Sequence, residues 1–138
     1  AFLVGQLKRI LKVERVWDVV LVGVGDLGRA VAHYGGFVDR GFRIVALYDT
    51  DPAKVGTRIG ELTVEDTTHL VEAIRARGIR IAMLAVRAPE AQAVAVKLVE
   101  AGIEAILCYA PKSLSLPANV RIQYIDPVLR LQLMTYFL

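Results

Sequence analysis

Three glycines at positions 23, 25 and 28, within Val22-Gly23-Val24-Gly25-Asp26-Leu27-Gly28, are the residues whose spacing implies chemistry most directly. The apolar stretch Val19-Val20-Leu21-Val22 runs into them and a helix-like pattern leaves them, which reads as a buried strand, a tight turn and a helix. In such a turn Gly23 makes the bend, Gly25 lets backbone approach a pyrophosphate, and Gly28 lets the helix pack closely on the strand. The anion sits on the helix N-terminus, where unpaired N–H groups and the positive end of the dipole point at it. A plain tight strand-to-helix turn would use the same glycines, so the next element matters. Phe42 to Tyr48 reads as a second strand ending in Asp49, about twenty residues beyond Gly28, where a carboxylate can accept both hydroxyls of an adenosine ribose. Strand, turn, helix, strand and acid in that order point to dinucleotide binding.

Other reactive side chains are sparse. Cys108 falls at the end of an apolar run and reads as a small buried hydrophobe rather than a reactive thiol. His33 and His69 read as ordinary helix histidines. No Ser-His-Asp grouping, metal-ligand spacing or Tyr-x-x-x-Lys pair is present, so a small NAD-dependent oxidoreductase is the weaker reading and no enzyme activity is expected.

The remaining chain must position these groups. With 138 residues, of which 55% are hydrophobic and 22% charged, the sequence has the composition of one well-buried globular domain. The net charge of +3 is scattered among acids and does not by itself argue for nucleic acid. A single cysteine excludes an internal disulfide and fits a reducing cytoplasm. No apolar run approaches the roughly eighteen residues needed to cross a bilayer, so no membrane partner is expected.

Residues Phe2 to Val13 have amphipathic helical spacing, Val16 to Val22 is the first strand, and Asp26 to His33 opens a helix stopped by Gly35-Gly36. After the second strand, Asp51 is placed to cap a short helix with Pro52 at its first position, running toward Gly56. A short strand around Leu62 to Val64, a helix from Thr67 to Arg77 closed by Gly78, and a strand from Ile79 to Val86 follow. A helix from Glu90 to Ala101, a strand from Ile103 to Tyr109, a loop from Ala110 to Pro117 and a last strand from Val120 to Ile125 complete the alternation. This pattern specifies an α/β fold with a doubly wound, mostly parallel, Rossmann-like sheet. The tail from Asp126 to Leu138 has a capping Asp, Pro127 at the first helical position and almost no polar face. It is expected to be buried by another chain, making a homodimer by exchange of this C-terminal helix; an ordinary last helix folded on its own sheet is the alternative. The expected division is residues 1–15 as a remnant linker or helix and 16–138 as the nucleotide-binding domain, with 126–138 as its dimerisation helix.

These pieces together resemble the NAD(H)-binding domain of Rex, the bacterial redox-sensing transcriptional repressors, over nearly all of residues 5–138. The resemblance rests on the glycine run, on His33-Tyr34-Gly35-Gly36-Phe37, on Tyr48-Asp49-Thr50-Asp51-Pro52-Ala53-Lys54-Val55-Gly56, on Tyr109-Ala110-Pro111 with Leu116-Pro117, and on Asp126. It implies that Gly23 to Gly28 hold the pyrophosphate of NADH or NAD⁺ and that Asp49 meets the adenosine ribose, with Asp51 and Lys54 on the same turn. It also implies that Ala85-Val86 and Ala110-Pro111 frame the nicotinamide. In such proteins the reduced cofactor draws two subunits together and releases DNA, and a hydrogen bond between residues matching Tyr34 and Asp126 of the other subunit reports that state. Gly5 to Trp17 resembles only the last segment of the family's winged-helix domain and its linker, so cofactor binding and dimerisation are expected here without operator recognition. The chain departs from the family's usual residues at Asp26, Arg87 and Pro127. A carboxylate at 26, near a doubly negative pyrophosphate, is expected to weaken affinity. A domain that binds coenzyme A is the other alternative, but it calls for a basic residue where Asp49 stands.

Overall fold

In the computed structural model, residues 16–33, 40–125, 135 and 138 are described. The segment Phe2–Val13, the Gly35-Gly36 stop, Tyr34, and nearly all of the tail from Asp126, with the helix exchange assigned to it, lie outside them.

The apolar runs at the centre of the sheet form strands because they are covered on both faces. β1 (Trp17–Val22) lies between β2 (Phe42–Asp49) and β5 (Ile81–Leu84), parallel to both. Val20, Leu21 and Val22, its carboxyl-terminal half, have no exposed surface. β4 (Leu62–Asp66) extends the sheet parallel to β2, and β6 (Ala105–Cys108) and β7 (Arg121–Tyr124) extend it parallel to β5. A two-residue strand, β3 (Arg58–Ile59), closes one edge by pairing antiparallel with β4. The order is β3-β4-β2-β1-β5-β6-β7, so the chain winds outward from β1 in one direction, returns, and winds outward in the other. The predicted doubly wound, mostly parallel sheet is therefore the one observed.

Alternate residues of each strand face opposite ways, and this separates the core into two layers. Val20, Val22, Ala82 and Leu84 pack under Leu70 and Ile74 of α2 (Leu70–Arg77) and under Ala91, Val94, Ala95 and Leu98 of α3 (Ala88–Glu100). Val19, Leu21, Leu47 and Met83 face the other way, with Val31 and Ala32 of α1 (Asp26–His33) against them. Replacing a wholly buried leucine such as Leu21 by alanine is expected to cost about 2–5 kcal/mol.

Several boundaries differ from the sequence reading. Residues 52–56 form turns, not a helix begun at Pro52. Asp51 does cap, but its Oδ1 accepts the Ala53 amide at 2.9 Å in a local turn. The helix expected from Thr67 opens as a 3₁₀ turn, Thr67–His69, in which Asp66 accepts from the Thr68 amide, and becomes α-helical at Leu70. It ends where expected, at Gly78 with φ +64°. The strands predicted over Ile79–Val86 and Ile103–Tyr109 are only four residues long, although the amides of Ala85 and Tyr109 just beyond them still donate to Val22 and Leu84 of the neighbouring strands. At the end opposite the glycine turn, the Arg80 guanidinium lies 5.4 Å from the centre of the Trp17 ring and pairs with Glu104.

Candidate functional site

The winding reverses direction between β1 and β5, and in open α/β sheets ligands bind in the crevice that such a reversal leaves at the strands' carboxyl ends. Here that crevice has a volume of about 480 Å³. The glycine loop, the turn that follows β2 and the turn that follows β5 line it.

The three glycines have three separate reasons to be glycine. Gly23 has φ +102°, and a Cβ there would lie 2.5 Å from the carbonyl carbon of Ala85. A Cβ on Gly28 would lie 1.8 Å from the Gly23 oxygen, so α1 reaches the strand only without one. Gly25 is different: a Cβ there meets nothing within 4 Å and the backbone is unstrained, so nothing inside the protein demands a glycine. Gly25 borders the crevice, and a ligand pressed against its backbone would supply the missing demand. The Arg29 amide donates to the Gly25 oxygen at 2.8 Å, which makes Gly25 the cap of α1. The amides of Asp26, Leu27 and Gly28 lie ahead of that bond with no partner one turn back, the arrangement that receives an anion.

Asp49, at the end of β2, is 7% exposed. Its Oδ2 accepts the Val24 amide at 2.7 Å and its Oδ1 accepts the Asp51 amide at 2.9 Å. The carboxylate expected to face a ribose with both oxygens thus already holds two backbone groups. Each oxygen keeps one further lone-pair direction. The Gly23 amide donates to the Tyr48 oxygen at 2.7 Å, fastening the loop to β2 a second time.

The crevice therefore brings together Gly23, Gly25, Asp49, Asp51, Lys54, Ala85 and Val86 from the predicted set. Val24 and Gly28 lie behind it as buried support, while Asp26 and Leu27 are exposed on the first turn of α1 and do not border it. Ala110 is buried at the end of β6, one strand beyond β5, with Pro111 exposed next to it; neither lines the crevice. Burial pushes both the Cys108 thiol and the Tyr109 phenol up from their ordinary values, so these two side chains stay uncharged at neutral pH. Tyr34 and Asp126 lie outside the described residues. Four residues not assigned to the site also line it: Thr50, Pro52, Arg87 and Glu90. The last two follow from the winding reversal, which sets the turn after β5 opposite the turn after β2.

Among the described residues no group of His, Cys, Asp and Glu could hold a metal ion, and no helix is long and apolar enough to cross a membrane.

Comparison with known proteins agrees with this geometry. Residues 14–112 match the family model described as the CoA binding domain. The redox-sensing transcriptional repressor Rex of Chloroflexus aurantiacus is 52% identical over 136 residues, which are 99% of this chain and 64% of that protein. Among solved structures, RSP in complex with NADH superposes with a TM-score of 0.89 at 30% identity, over 98% of this chain and 65% of the other. RSP with NAD⁺ and operator DNA gives 0.90 at the same identity, over 98% and 62%. The chain thus spans less than two thirds of the length of the relatives it matches. It belongs to the CoA binding domain family and, within it, is a homologue of the Rex repressors along nearly its whole length.

Proposed function

We propose that this chain is the NAD(H)-binding, redox-sensing part of a Rex-type transcriptional repressor. The observation that carries the reading is the crevice itself: an open glycine at the N-terminus of α1 on one wall, an acidic turn on the other, at the point where the winding reverses. The pyrophosphate of NADH or NAD⁺ lies against Gly25 at the N-terminus of α1, the adenosine ribose against the turn from Asp49 to Lys54, and the nicotinamide toward Ala85 and Ala110. When bound, the dinucleotide supplies a redox state to be read, and the chain's own residues hold and orient it without catalysis. The names of the relatives and the RSP complexes with NADH, NAD⁺ and operator DNA support this reading.

A cofactor shifts an equilibrium between subunit arrangements only if it contacts the two arrangements differently. Tyr34 and Asp126 of the partner subunit are the proposed contact, with residues 126–138 exchanged in a cytoplasmic homodimer and residues 1–15 leading from a separate DNA-binding domain. Coenzyme A is disfavoured because its ribose phosphate would face Asp49 and Asp51. Calorimetric titration of the chain with NADH, NAD⁺, NADPH and coenzyme A tests the reading. NADH is expected to bind most tightly, and preference for coenzyme A, or no binding of either nicotinamide dinucleotide, refutes it. Sedimentation is expected to give a dimer at micromolar concentration.

A further inference from the structure

Asp49 and Asp51 share one turn but differ in what their oxygens are committed to. Both oxygens of buried Asp49 accept backbone amides, one from the glycine loop and one from the turn itself. The carboxylate thereby ties the two walls of the crevice together, and its charge is spread into two peptide dipoles. Asp51 is exposed and lines the same crevice. Its Oδ1 accepts the Ala53 amide, and no described residue donates to its Oδ2.

We propose, building on the dinucleotide reading above, that the two acids divide the work. Asp49 is a positioning residue that fixes the glycine loop, and Asp51 is the specificity-determining carboxylate that accepts a ribose hydroxyl and rejects a ribose phosphate. The cations nearby sharpen the assignment. Lys54 and Arg87 line the crevice, and neither has a hydrogen-bonded or ionic side-chain partner among the described residues. Two such cations would welcome a phosphate monoester carrying nearly two negative charges. The exposed charge of Asp51, repelling the phosphate and attracting the cations, is what withholds that welcome.

Asp51→Asn separates the roles, because the asparagine oxygen can still accept the Ala53 amide while the charge is lost. The variant is titrated with NADH and NADPH, and unfolding of the ligand-free chain is followed by heating. The NADPH-to-NADH affinity ratio is expected to rise at least about tenfold, with the ligand-free midpoint unchanged. In Asp49→Asn the new amide must face one of two backbone donors. That variant is expected to lower the midpoint and weaken both dinucleotides in parallel, leaving their ratio within about threefold. A ratio that moves in Asp49→Asn and stays fixed in Asp51→Asn overturns the assignment, and so does an unchanged ratio in Asp51→Asn alone if the Asp49 variant does not fold. A wild-type chain that melts normally yet binds neither dinucleotide refutes the underlying reading, and this inference falls with it.

Discussion

Adding one methyl group to each of the three glycines is expected to give opposite results at positions that sequence alone treats alike. In Gly28→Ala the new Cβ would stand 1.8 Å from the Gly23 oxygen, where ordinary contact begins at about 3.4 Å, so the start of α1 must retreat by about 1.6 Å. The obstacle is backbone and has no rotamer to offer. Overpacking of this kind costs about 1–3 kcal/mol or more. Gly23→Ala meets a clash of the same order against Ala85 and adds an unfavourable positive φ. In Gly25→Ala the methyl meets no protein atom. Reduced freedom in the unfolded chain favours alanine there by about 0.4–1 kcal/mol. Alanine's weakness as a helix cap opposes this by a similar amount, so stability should stay within about 1 kcal/mol of wild type. Yet in the proposed binding mode that methyl enters the space of the pyrophosphate, and NADH affinity should fall at least about tenfold, or 1.4 kcal/mol. Urea unfolding of the ligand-free proteins and calorimetry with NADH measure both quantities. A Gly25→Ala protein that binds NADH within about twofold of wild type, or that unfolds as readily as Gly28→Ala, would refute the reasoning.

Asp26→Asn removes an exposed negative charge from the first turn of α1. Because solvent screens that position, NADH should bind only about two- to tenfold more tightly, and the gain should shrink when titrations are repeated in high salt. Cys108 is buried and its thiol is held above the ordinary value, so it stays protonated at pH 8, and iodoacetamide should label the folded chain far more slowly than the urea-unfolded one; equal rates would mean that the end of β6 is open. Hydrogen bonds from Thr68, first its hydroxyl and then its amide, hold the Asp66 carboxyl below its ordinary value. The stability this contributes is present at neutral pH and lost as pH falls through the lowered value, so Asp66→Asn should flatten the acid side of the stability profile. An unchanged acid limb would dismiss that account.

The sheet was legible in the sequence because runs such as Val19–Val22 and Ala82–Leu84 are apolar at every position and too short for a buried helix, as a strand covered on both faces requires. The stops were legible where a left-handed residue was needed, as at Gly78. β3 was not, because two residues, Arg58 and Ile59, carry no period and acquire strand character only by pairing with β4. At the site, the glycines and Asp49 were legible as types and spacing. The bond from the Val24 amide to Asp49, across 25 positions of sequence, exists only once β1 and β2 lie side by side. Arg87 and Glu90 join the crevice for the same kind of reason, through the position of β5, which no local pattern encodes.

The stacked Trp17–Arg80 pair has a practical consequence. Trp17 is the only tryptophan of the chain, and it begins the strand whose other end enters the glycine loop. Five steps of extended backbone separate Trp17 from Val22, about 17 Å. That span suits energy transfer from indole emission to the near-ultraviolet absorption of a reduced nicotinamide. With a reduced dinucleotide bound as proposed, the molecule would carry its own optical ruler, the donor anchored by a guanidinium at one end of β1 and the acceptor at the other.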